Sequence, residues 1–305
     1  MKDNQRGIAY ALVTLTLWGF LPIFLKVVVS DISPQTVVWF RFCFSFMILF
    51  LWNLIRSPKE LRIFHKPPVI LLAASACLSW NYFGFMQAVN YTSPSNAQLI
   101  AQVGPLLLAL AGVYLFKEKL RKIQIAGFIM ALLGFALFYQ QQVGLTSIEE
   151  GRYKVGVLFA ISGFTTWAIY AILQKKLLLQ FSTGALNTFI FGFASVVYLP
   201  FVNFHEFSSL SFGDWMLLVY LGLNTLIAYG CLSQALKYTQ ANKVSIILLL
   251  NPIITFIAMT VLSVMQVSWI GKEEFTKLAI VSALLILLGA VFVISKPRKD
   301  SQLQN

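Results

Sequence analysis

The sequence predicts an all-α polytopic membrane protein: ten transmembrane helices in two inverted five-helix repeats, with both termini in the cytoplasm. Three observations predict this fold. The residues AVILMFWYC make up 58% of the 305-residue chain and charged residues only 11%. Adding the 18 glycines brings the apolar share to about 64%, above the roughly 45–50% of soluble proteins. Charged clusters separate apolar runs of about the 20 residues that cross a bilayer, and the second half of the chain repeats the first.

Ten apolar runs are long enough to be membrane helices. Their predicted ranges are, in chain order, Gly7 to Val29, Pro34 to Ile55, Val69 to Val89, Ser93 to Phe116, Ile123 to Gln140, Lys154 to Gln174, Gly184 to Val202, Gly213 to Leu236, Asn242 to Val264 and Phe275 to Ser295. These runs occupy most of the chain, so the loops have no room for a separate catalytic or nucleic-acid-binding domain. We therefore predict that residues 1–305 form a single membrane domain.

The basic residues are distributed unevenly between the two ends of these helices. Of the 23 Lys and Arg residues, 17 lie at helix ends that share a side with the N-terminus, 5 lie at the opposite ends, and Arg41 lies within the second run. Because cytoplasmic loops carry an excess of Lys and Arg, both termini are predicted to face the cytoplasm. The net charge of +12 is then an orientation signal, and no nucleic-acid partner is expected.

Cysteine and histidine are too few and too scattered for a metal or redox centre. Cys43, Cys77 and Cys231 all lie within apolar runs, whereas His65 and His205 lie in loops. This pattern gives neither a disulfide framework nor metal-ligand spacing. The apolar runs also lack any catalytic cluster, such as paired acids or a Cys/His set. We therefore predict that the protein is not an enzyme and needs no cofactor.

An internal repeat divides the chain at residues 7–140 and 154–295. Residues 82, 87, 88, 91, 92 and 105 recur 147 positions later with the same identities, as in Tyr82 and Tyr229 or Pro105 and Pro252. Trp18 and Trp167 are likewise equivalent, at an offset of 149. Because each half has five helices, the second half must enter the membrane in the opposite orientation. Inverted repeats of this kind are typical of carriers.

Several local motifs resemble those of the EamA-type transporters of the drug/metabolite transporter superfamily, over nearly the whole chain. The matching stretches are Leu17-Trp18-Gly19, Pro34 with Arg41, Ala88-Val89-Asn90-Tyr91-Thr92-Ser93-Pro94, Gly104-Pro105, Lys117-Glu118 and Asn251-Pro252. The resemblance implies a bacterial inner-membrane transporter that exports or exchanges small metabolites, such as amino acids. One departure is Met265, which stands where the second half often repeats an acid equivalent to Glu118. An insertion containing Glu273 follows it.

Polar and aromatic residues at matching depths predict a central cavity. Gln98 and Gln102 lie four residues apart and hence on one helix face. A tryptophan in mid-helix must satisfy its indole N–H, which favours a polar interior over lipid. The alternative for each residue is ordinary packing between helices. The full predicted substrate-binding set is Trp18, Trp80, Asn81, Gln98, Gln102, Trp167, Tyr170, Asn224 and Tyr229.

Two prolines and one arginine complete the predicted site. Pro105 and Pro252 are expected to break their helices near mid-membrane and to free the carbonyls of Ala101 and Leu248. Arg41 is the one charge well inside a span. It is interpreted as a gate or structural charge, with attraction of a substrate carboxylate, snorkelling outward, or pairing with backbone carbonyls or Asp31 as alternatives. All eleven acids lie in tails, loops or span ends, so the sequence offers no buried carboxylate for ion coupling.

These patterns together predict a secondary transporter for amino acids or related zwitterionic or neutral compounds, working by alternating access. A passive channel and a multidrug exporter of aromatic cations are the alternatives. The expected partners are a small-molecule substrate and the lipid bilayer. Gly127, Gly134 and Gly289 permit close helix contacts, either within one chain or between two, so both a monomer and a homodimer are compatible with the sequence.

Overall fold

The computed structural model describes residues 2–116, 122–145, 150–239, 241–273 and 276–294. Within these ranges the chain forms twelve α-helices and no β-strand. The helices are α1 (Lys2–Val28), α2 (Pro34–Arg56), α3 (Val69–Tyr91), α4 (Pro94–Ile100), α5 (Val103–Phe116), α6 (Lys122–Leu145), α7 (Glu150–Leu177), α8 (Thr183–Tyr198), α9 (Phe212–Tyr238), α10 (Ala241–Leu248), α11 (Asn251–Val264) and α12 (Lys277–Ile294). Lys117 and Glu118 lie outside the described residues.

Six of the helical segments are long and apolar enough to cross a membrane. They are Asp3–Val28, Pro34–Arg56, Val69–Tyr91, Glu150–Leu177, Thr183–Phe201 and Phe212–Tyr238. Shorter apolar helices occupy Ile125–Gln141, Asn251–Val264 and Lys277–Phe292. The all-helical class predicted from composition is therefore confirmed for the described residues.

Two of the ten predicted runs are each divided into two helices. The run from Ser93 to Phe116 becomes α4 and α5, with a break at Ala101 and Gln102. At this break the amide of Gly104 donates to the Ala101 carbonyl at 3.0 Å, so a tight turn satisfies the carbonyl that Pro105 deprives of its usual donor. The break therefore costs no unpaired backbone group at Ala101.

The second break lies at the equivalent place in the other half. The run from Asn242 to Val264 divides into α10 and α11, with Leu249 and Leu250 between them. An offset of 147 residues carries the first break onto Leu248 and Leu249, so the two interruptions coincide within one residue. The helix interruptions predicted from the paired prolines are thus present in the structure.

The contacts between helices also reflect the internal repeat. The most extensive contacts join α3 to α7, α6 to α12, α1 to α9 and α2 to α8. If α1 corresponds to α7 and α3 to α9, the contact between α1 and α9 is the counterpart of the one between α3 and α7. The pairs α2 with α8 and α6 with α12 each join a helix to its own equivalent. The pattern is therefore that of two similar halves packed about an approximate two-fold axis.

Glycines allow the closest of these helix contacts. A Cβ atom on Gly289 of α12 would lie 2.6 Å from the backbone oxygen of Gly127, and one on Gly134 of α6 would lie 2.9 Å from that of Ser282. Real Cβ atoms do not approach backbone this closely, so only glycine fits at either position. The glycines for which the sequence left two roles open thus serve contacts within the chain.

Candidate substrate cavity

A cavity of about 60 Å³ is lined by residues of both halves. Helices α1, α2, α3, α7 and α9 contribute to its wall, together with residues at the two helix breaks. The lining residues are Trp18, Leu21, Arg41, Asn81, Tyr82, Phe85, Gln98, Ala101, Gln102, Pro105, Phe164, Trp167, Tyr229, Leu248 and Asn251.

The aromatic wall of the cavity is built from equivalent positions of the two halves. The rings of Trp18 and Trp167 are edge to face, with their centroids 6.2 Å apart. Tyr229 lies 5.1 Å from Trp18 and 5.4 Å from its own equivalent, Tyr82. Edge-to-face and tilted contacts are the favoured geometries of aromatic pairs, so these four rings form one continuous surface.

A proline in α1 explains why Gln98 lies where it does. Pro22 has no N–H and therefore leaves the carbonyl of Trp18, four residues earlier, without its helical donor. The Gln98 Nε2 atom donates to this carbonyl at 3.3 Å. Gln98 thus holds the short helix α4 against the kink of α1, which places the amide at the cavity wall. The prediction from the sequence overlooked Pro22, although a proline inside an apolar run was a visible signal.

Two further side chains bond the same stretch of α1. Asn224 of α9 donates from Nδ2 to the Leu17 carbonyl at 2.9 Å, and Thr255 of α11 donates to the Gly19 carbonyl at 2.6 Å. The kink is therefore held from three helices. Asn224 is only 2% exposed and is not among the lining residues, so the structure places it at a helix contact beside the cavity.

Two amide oxygens at the cavity are buried and accept no hydrogen bond from the described residues: Gln102 Oε1 and Asn251 Oδ1. The other end of the Gln102 amide is used, because its Nε2 donates to the Gln98 carbonyl at 3.1 Å. Asn251 begins α11 directly after the second helix break. A buried acceptor without a donor is costly, so each oxygen is a position where a bound compound gains a hydrogen bond.

Arg41 is buried at the cavity, with 2% of its surface exposed. Its Nε donates to the Thr225 hydroxyl at 3.0 Å, and its guanidinium carbon lies 4.5 Å from the centre of the Tyr82 ring. Within the described residues no carboxylate lies within 4 Å of it; the recorded ion pairs join Arg6 to Asp3 and Lys154 to Glu150. Neither snorkelling nor pairing with Asp31 is therefore the role of Arg41 in this structure.

Three other predicted residues lie away from the cavity surface. Trp80 is 43% exposed on the outside of the pair formed by α3 and α7, where its indole N–H donates to Ser162 Oγ at 3.2 Å. On α3 the cavity faces positions 81, 82 and 85, and a helix turns about 100° per residue, which rotates position 80 outward. Tyr170 is fully buried behind the Tyr229 ring, at 6.1 Å. Pro252 follows the lining residue Asn251.

The remaining predicted residues are brought together, and several unpredicted ones join them. Trp18, Asn81, Gln98, Gln102, Trp167 and Tyr229 all line the cavity, together with Arg41 and Pro105. The unpredicted lining residues are Leu21, Tyr82, Phe85, Ala101, Phe164, Leu248 and Asn251. Tyr82 had a usable signal, because it is the repeat equivalent of Tyr229. The apolar members had none that separates cavity wall from ordinary core.

One loop acid, Glu273, is half-buried with its carboxyl group turned away from solvent, which the sequence did not indicate. Glu273 lies in the loop between α11 and α12, and its Oε1 accepts the Ser95 N–H at the start of α4, at 3.2 Å. Its other oxygen is closed off from solvent. Burial raises the pKa of the Glu273 carboxyl, while the hydrogen bonds from Ser95 and the charge of Lys26 oppose that rise. The loop thus closes over one end of the broken helix.

Comparison with known proteins bears on this architecture. The model of the EamA-like transporter family matches the chain twice, over residues 5–140 and 154–295. The chain belongs to the EamA-like transporter family. A relative from Escherichia coli, named as the uncharacterized inner membrane transporter YhbE, is 30% identical over 292 residues, which cover 94% of this chain and 90% of the relative.

Two further proteins are similar to this EamA-like transporter over nearly the whole chain. An uncharacterized transporter of Haemophilus influenzae is 28% identical over 286 residues, covering 93% of each chain. A protein of known crystal structure shares 20% identity and superposes with a TM-score of 0.66 over 94% of this chain and 95% of its own, which supports the fold alone. The protein is therefore a multi-pass transporter of the bacterial inner membrane, and the family assignment favours transport over catalysis.

Proposed function

We propose that this EamA-like transporter is a secondary carrier, which exports or exchanges small zwitterionic or neutral metabolites by alternating access. The observation that carries the proposal is the composition of the central cavity. Equivalent positions of both halves line it, and residues at the matched helix breaks border it. A site between two similar halves can open to either side when the halves exchange conformations.

Contacts at the helix ends support the inverted arrangement that this mechanism needs. Thr239, after α9, donates to Asn4 at the start of α1 at 2.6 Å; both positions are predicted to be cytoplasmic. Ser33, before α2, donates from its backbone N–H to Glu206 in the loop between α8 and α9 at 3.0 Å; both are predicted to lie outside. Residues assigned to the same side therefore meet in space, which supports ten crossings with both termini inside.

The chemistry of the cavity favours small polar metabolites over bulky drugs. Aromatic rings and neutral amides line the cavity, so a small solute gains both apolar contact and hydrogen bonds there. Arg41, the one charge that the described residues bring to the wall, is positive and so repels the lipophilic cations that multidrug exporters carry. We therefore place amino acids and related compounds ahead of aromatic cations as substrates.

The driving force is proposed to be the gradient of the substrate itself. Intramembrane carboxylates are the usual proton or sodium relays, whereas no carboxylate of the described residues lines this cavity. The half-buried loop acid Glu273 lies instead at the start of α4. Exchange of one substrate molecule for another needs no such relay, because the loaded carrier returns on its own.

A counterflow assay tests the proposal. Proteoliposomes are loaded with a metabolite extract, labelled amino acids and amines are added outside, and exchanged compounds are identified by mass spectrometry. We expect saturable uptake of one chemical class, accelerated by the internal load, which a passive channel does not show. Absence of accelerated exchange by folded protein would contradict the carrier mechanism.

Two tryptophan variants make the assay specific to the cavity. Trp167→Ala removes a ring from the cavity wall, whereas Trp80→Ala removes the same ring from the outer surface of α3 and α7. We expect exchange to fall by at least about tenfold in Trp167→Ala, since large truncations in a binding site cost several kcal/mol, and to change little in Trp80→Ala. Equal losses in both variants would remove the cavity from the mechanism.

A further inference from the structure

We propose that Arg41 binds a carboxylate of the transported compound, so that this carrier selects substrates with a carboxylate group. The inference rests on the proposed transport function and deepens it. It assigns a ligand-binding role to the one charge at the cavity and a required chemical group to the substrate.

The environment of Arg41 lacks the negative charge that a buried cation needs. Placing an arginine at the bilayer centre costs about 2.5–3.5 kcal/mol on insertion scales, and buried charges are ordinarily paired. The Thr225 hydroxyl and the Tyr82 ring solvate the guanidinium, but neither carries a formal charge. The cation is thus held in the cavity wall without a counter-ion from the described residues.

A half-buried lysine of the same half, Lys26, shows what a purely structural cation looks like. Lys26 Nζ donates to the backbone carbonyls of Val89, Asn90 and Thr92 at 3.0, 3.0 and 3.1 Å. An ammonium group has three donors, so this lysine is saturated by the protein. Arg41 differs from Lys26 in position, because Arg41 borders the cavity. It also differs in bonding, because the hydrogen bond to Thr225 uses only the Nε atom of Arg41.

The donors of Arg41 match the geometry of a carboxylate. A guanidinium has five N–H donors in a planar fork, and the bond to Thr225 uses the one on Nε. The two terminal amino groups form the edge that binds carboxylates with two parallel hydrogen bonds. Among the described residues, the neighbouring Tyr82 hydroxyl is the group that competes for this edge. A carboxylate there would complete an ion pair out of water, where such a pair is strongest.

Groups that favour a cation also line this cavity. Gln102 Oε1 and Asn251 Oδ1 are buried acceptors without a donor from the described residues, and the rings of Trp18 and Trp167 add electron-rich faces. Acceptor oxygens and aromatic faces both favour an ammonium group. A compound that carries a carboxylate and an amine or hydroxyl therefore satisfies both the arginine and the amide oxygens of the cavity.

Binding of matched compounds to the purified wild-type protein tests the inference first. The probes are the twenty L-amino acids and short monocarboxylates, each compared with its carboxamide, which keeps the size of the compound but removes the negative charge. Binding is followed by tryptophan fluorescence and by the shift in Tm. We expect at least one carboxylate to bind about tenfold or more tightly than its amide. Equal binding of acid and amide, or no binding of any carboxylate, would overturn the proposal.

Variants of Arg41 then assign the preference to this residue. Arg41→Gln should weaken carboxylate binding by about tenfold or more while leaving the amide unchanged, and Arg41→Lys should fall between the two, because a lysine keeps the charge but loses the planar fork. Arg56→Gln, at the exposed end of the same helix, is the matched control and should keep the preference. A merely structural Arg41 would lower binding of acid and amide alike.

The same variants separate this inference from the carrier mechanism. If carboxylates bind but no counterflow occurs, the carboxylate site stands and alternating access is wrong. If counterflow of an uncharged compound persists in Arg41→Gln and wild type shows no preference for acids, the carrier stands and the role of Arg41 is wrong. Should Arg41→Gln fail to fold, the acid and amide comparison in wild type decides whether carboxylates are selected, and a weaker preference in Arg41→Lys assigns that selection to Arg41.

Discussion

The helices α2 and α8 are equivalent parts of the two halves, yet only α2 brings a charge to the cavity. Each follows a serine, Ser33 or Ser182. At an offset of 149, the segment Phe40-Arg41-Phe42 aligns with Phe189-Ile190-Phe191. The aromatic positions are kept and pack together, with Phe42 and Phe191 5.9 Å apart, but Arg41 is replaced by Ile190. The repeat thus provides a symmetric scaffold, and divergence at a single position gives the cavity a charge from the first half only.

The two broken helices differ in the same way. At an offset of 147, Gln98 and Gln102 in the first half correspond to Ser245 and Leu249 in the second, while Gly104 corresponds to Asn251. Both breaks occur at the equivalent place, but the first half offers two amides and the second half one. A substrate with unlike ends therefore meets unlike walls.

The largest expected effect comes from making α8 resemble α2. Ile190 is fully buried, so Ile190→Arg would enclose a guanidinium with no site prepared for it, at a cost of about 3 kcal/mol or more. We expect little folded protein in the membrane, measured as monodisperse material in size-exclusion chromatography. Ile190→Leu is the control and should fold normally. Normal yield of Ile190→Arg would show that the asymmetry between α2 and α8 is not enforced by packing.

The next effect concerns α6 and α12, which pair with each other and should respond alike. Gly134→Ala and Gly289→Ala each place a methyl group within 3 Å of backbone atoms of the opposite helix. Overpacking of this kind costs about 1–3 kcal/mol, so both variants should lower Tm. Gly230→Ala has no neighbour within 4 Å and should leave Tm unchanged or raise it. A lower Tm in only one of the two variants would show that α6 and α12 are not equivalent in packing.

A smaller effect distinguishes two equivalent hydrogen bonds. Asn81 of α3 donates to the Gly163 carbonyl of α7 at 3.1 Å, whereas Thr14 of α1 donates to the Ala228 carbonyl of α9 at 3.2 Å. Asn81 is the repeat equivalent of Ala228, and Thr14 is the repeat equivalent of Gly163. The two hydrogen bonds therefore join equivalent positions, but the donor lies on α3 in one and on α1, the equivalent of α7, in the other. Thr14→Val and Asn81→Leu should each lose about 0.6 kcal/mol of stability, the average for such bonds in membranes. Only Asn81→Leu should also weaken substrate binding, because Asn81 lines the cavity.

The smallest effect is a pH dependence at one end of α4. The raised pKa of Glu273 means that the closed loop binds the proton more tightly than the open loop does. The contact is then strongest below the ordinary carboxyl pKa of 4.5 and weakens as the pH rises through the raised value. Hydrogen exchange of residues 266–273, corrected for the intrinsic effect of pH, should therefore increase with pH in wild type.

The Glu273→Gln variant checks this dependence, because an amide cannot lose the proton but can still accept from Ser95. Its loop exchange should be insensitive to pH once corrected. The charges that face Glu273 are those of Lys26 and, beyond it, Arg152. A pH dependence that survives in Glu273→Gln would assign it to another group.

Local features of the sequence were sufficient for much of the fold. Apolar length gave the helical runs, and the paired prolines gave both helix breaks, because a missing N–H interrupts a helix whatever surrounds it. Repeat symmetry brought Trp18 and Trp167 to one cavity. The same reasoning, applied to Tyr229, would have added Tyr82.

What the sequence by itself determined is therefore the all-helical class, the places where two helices break, the internal duplication and the charge asymmetry that predicts the orientation of the helices. The tertiary structure alone decided that Trp80 faces outward, that Arg41 lines the cavity, and that the half-buried loop acid Glu273 contacts the start of α4. The physical reason is that lipid and protein interior are similarly apolar. A membrane helix that is hydrophobic all round carries little signal of its own rotation, so its neighbours determine which side chains meet.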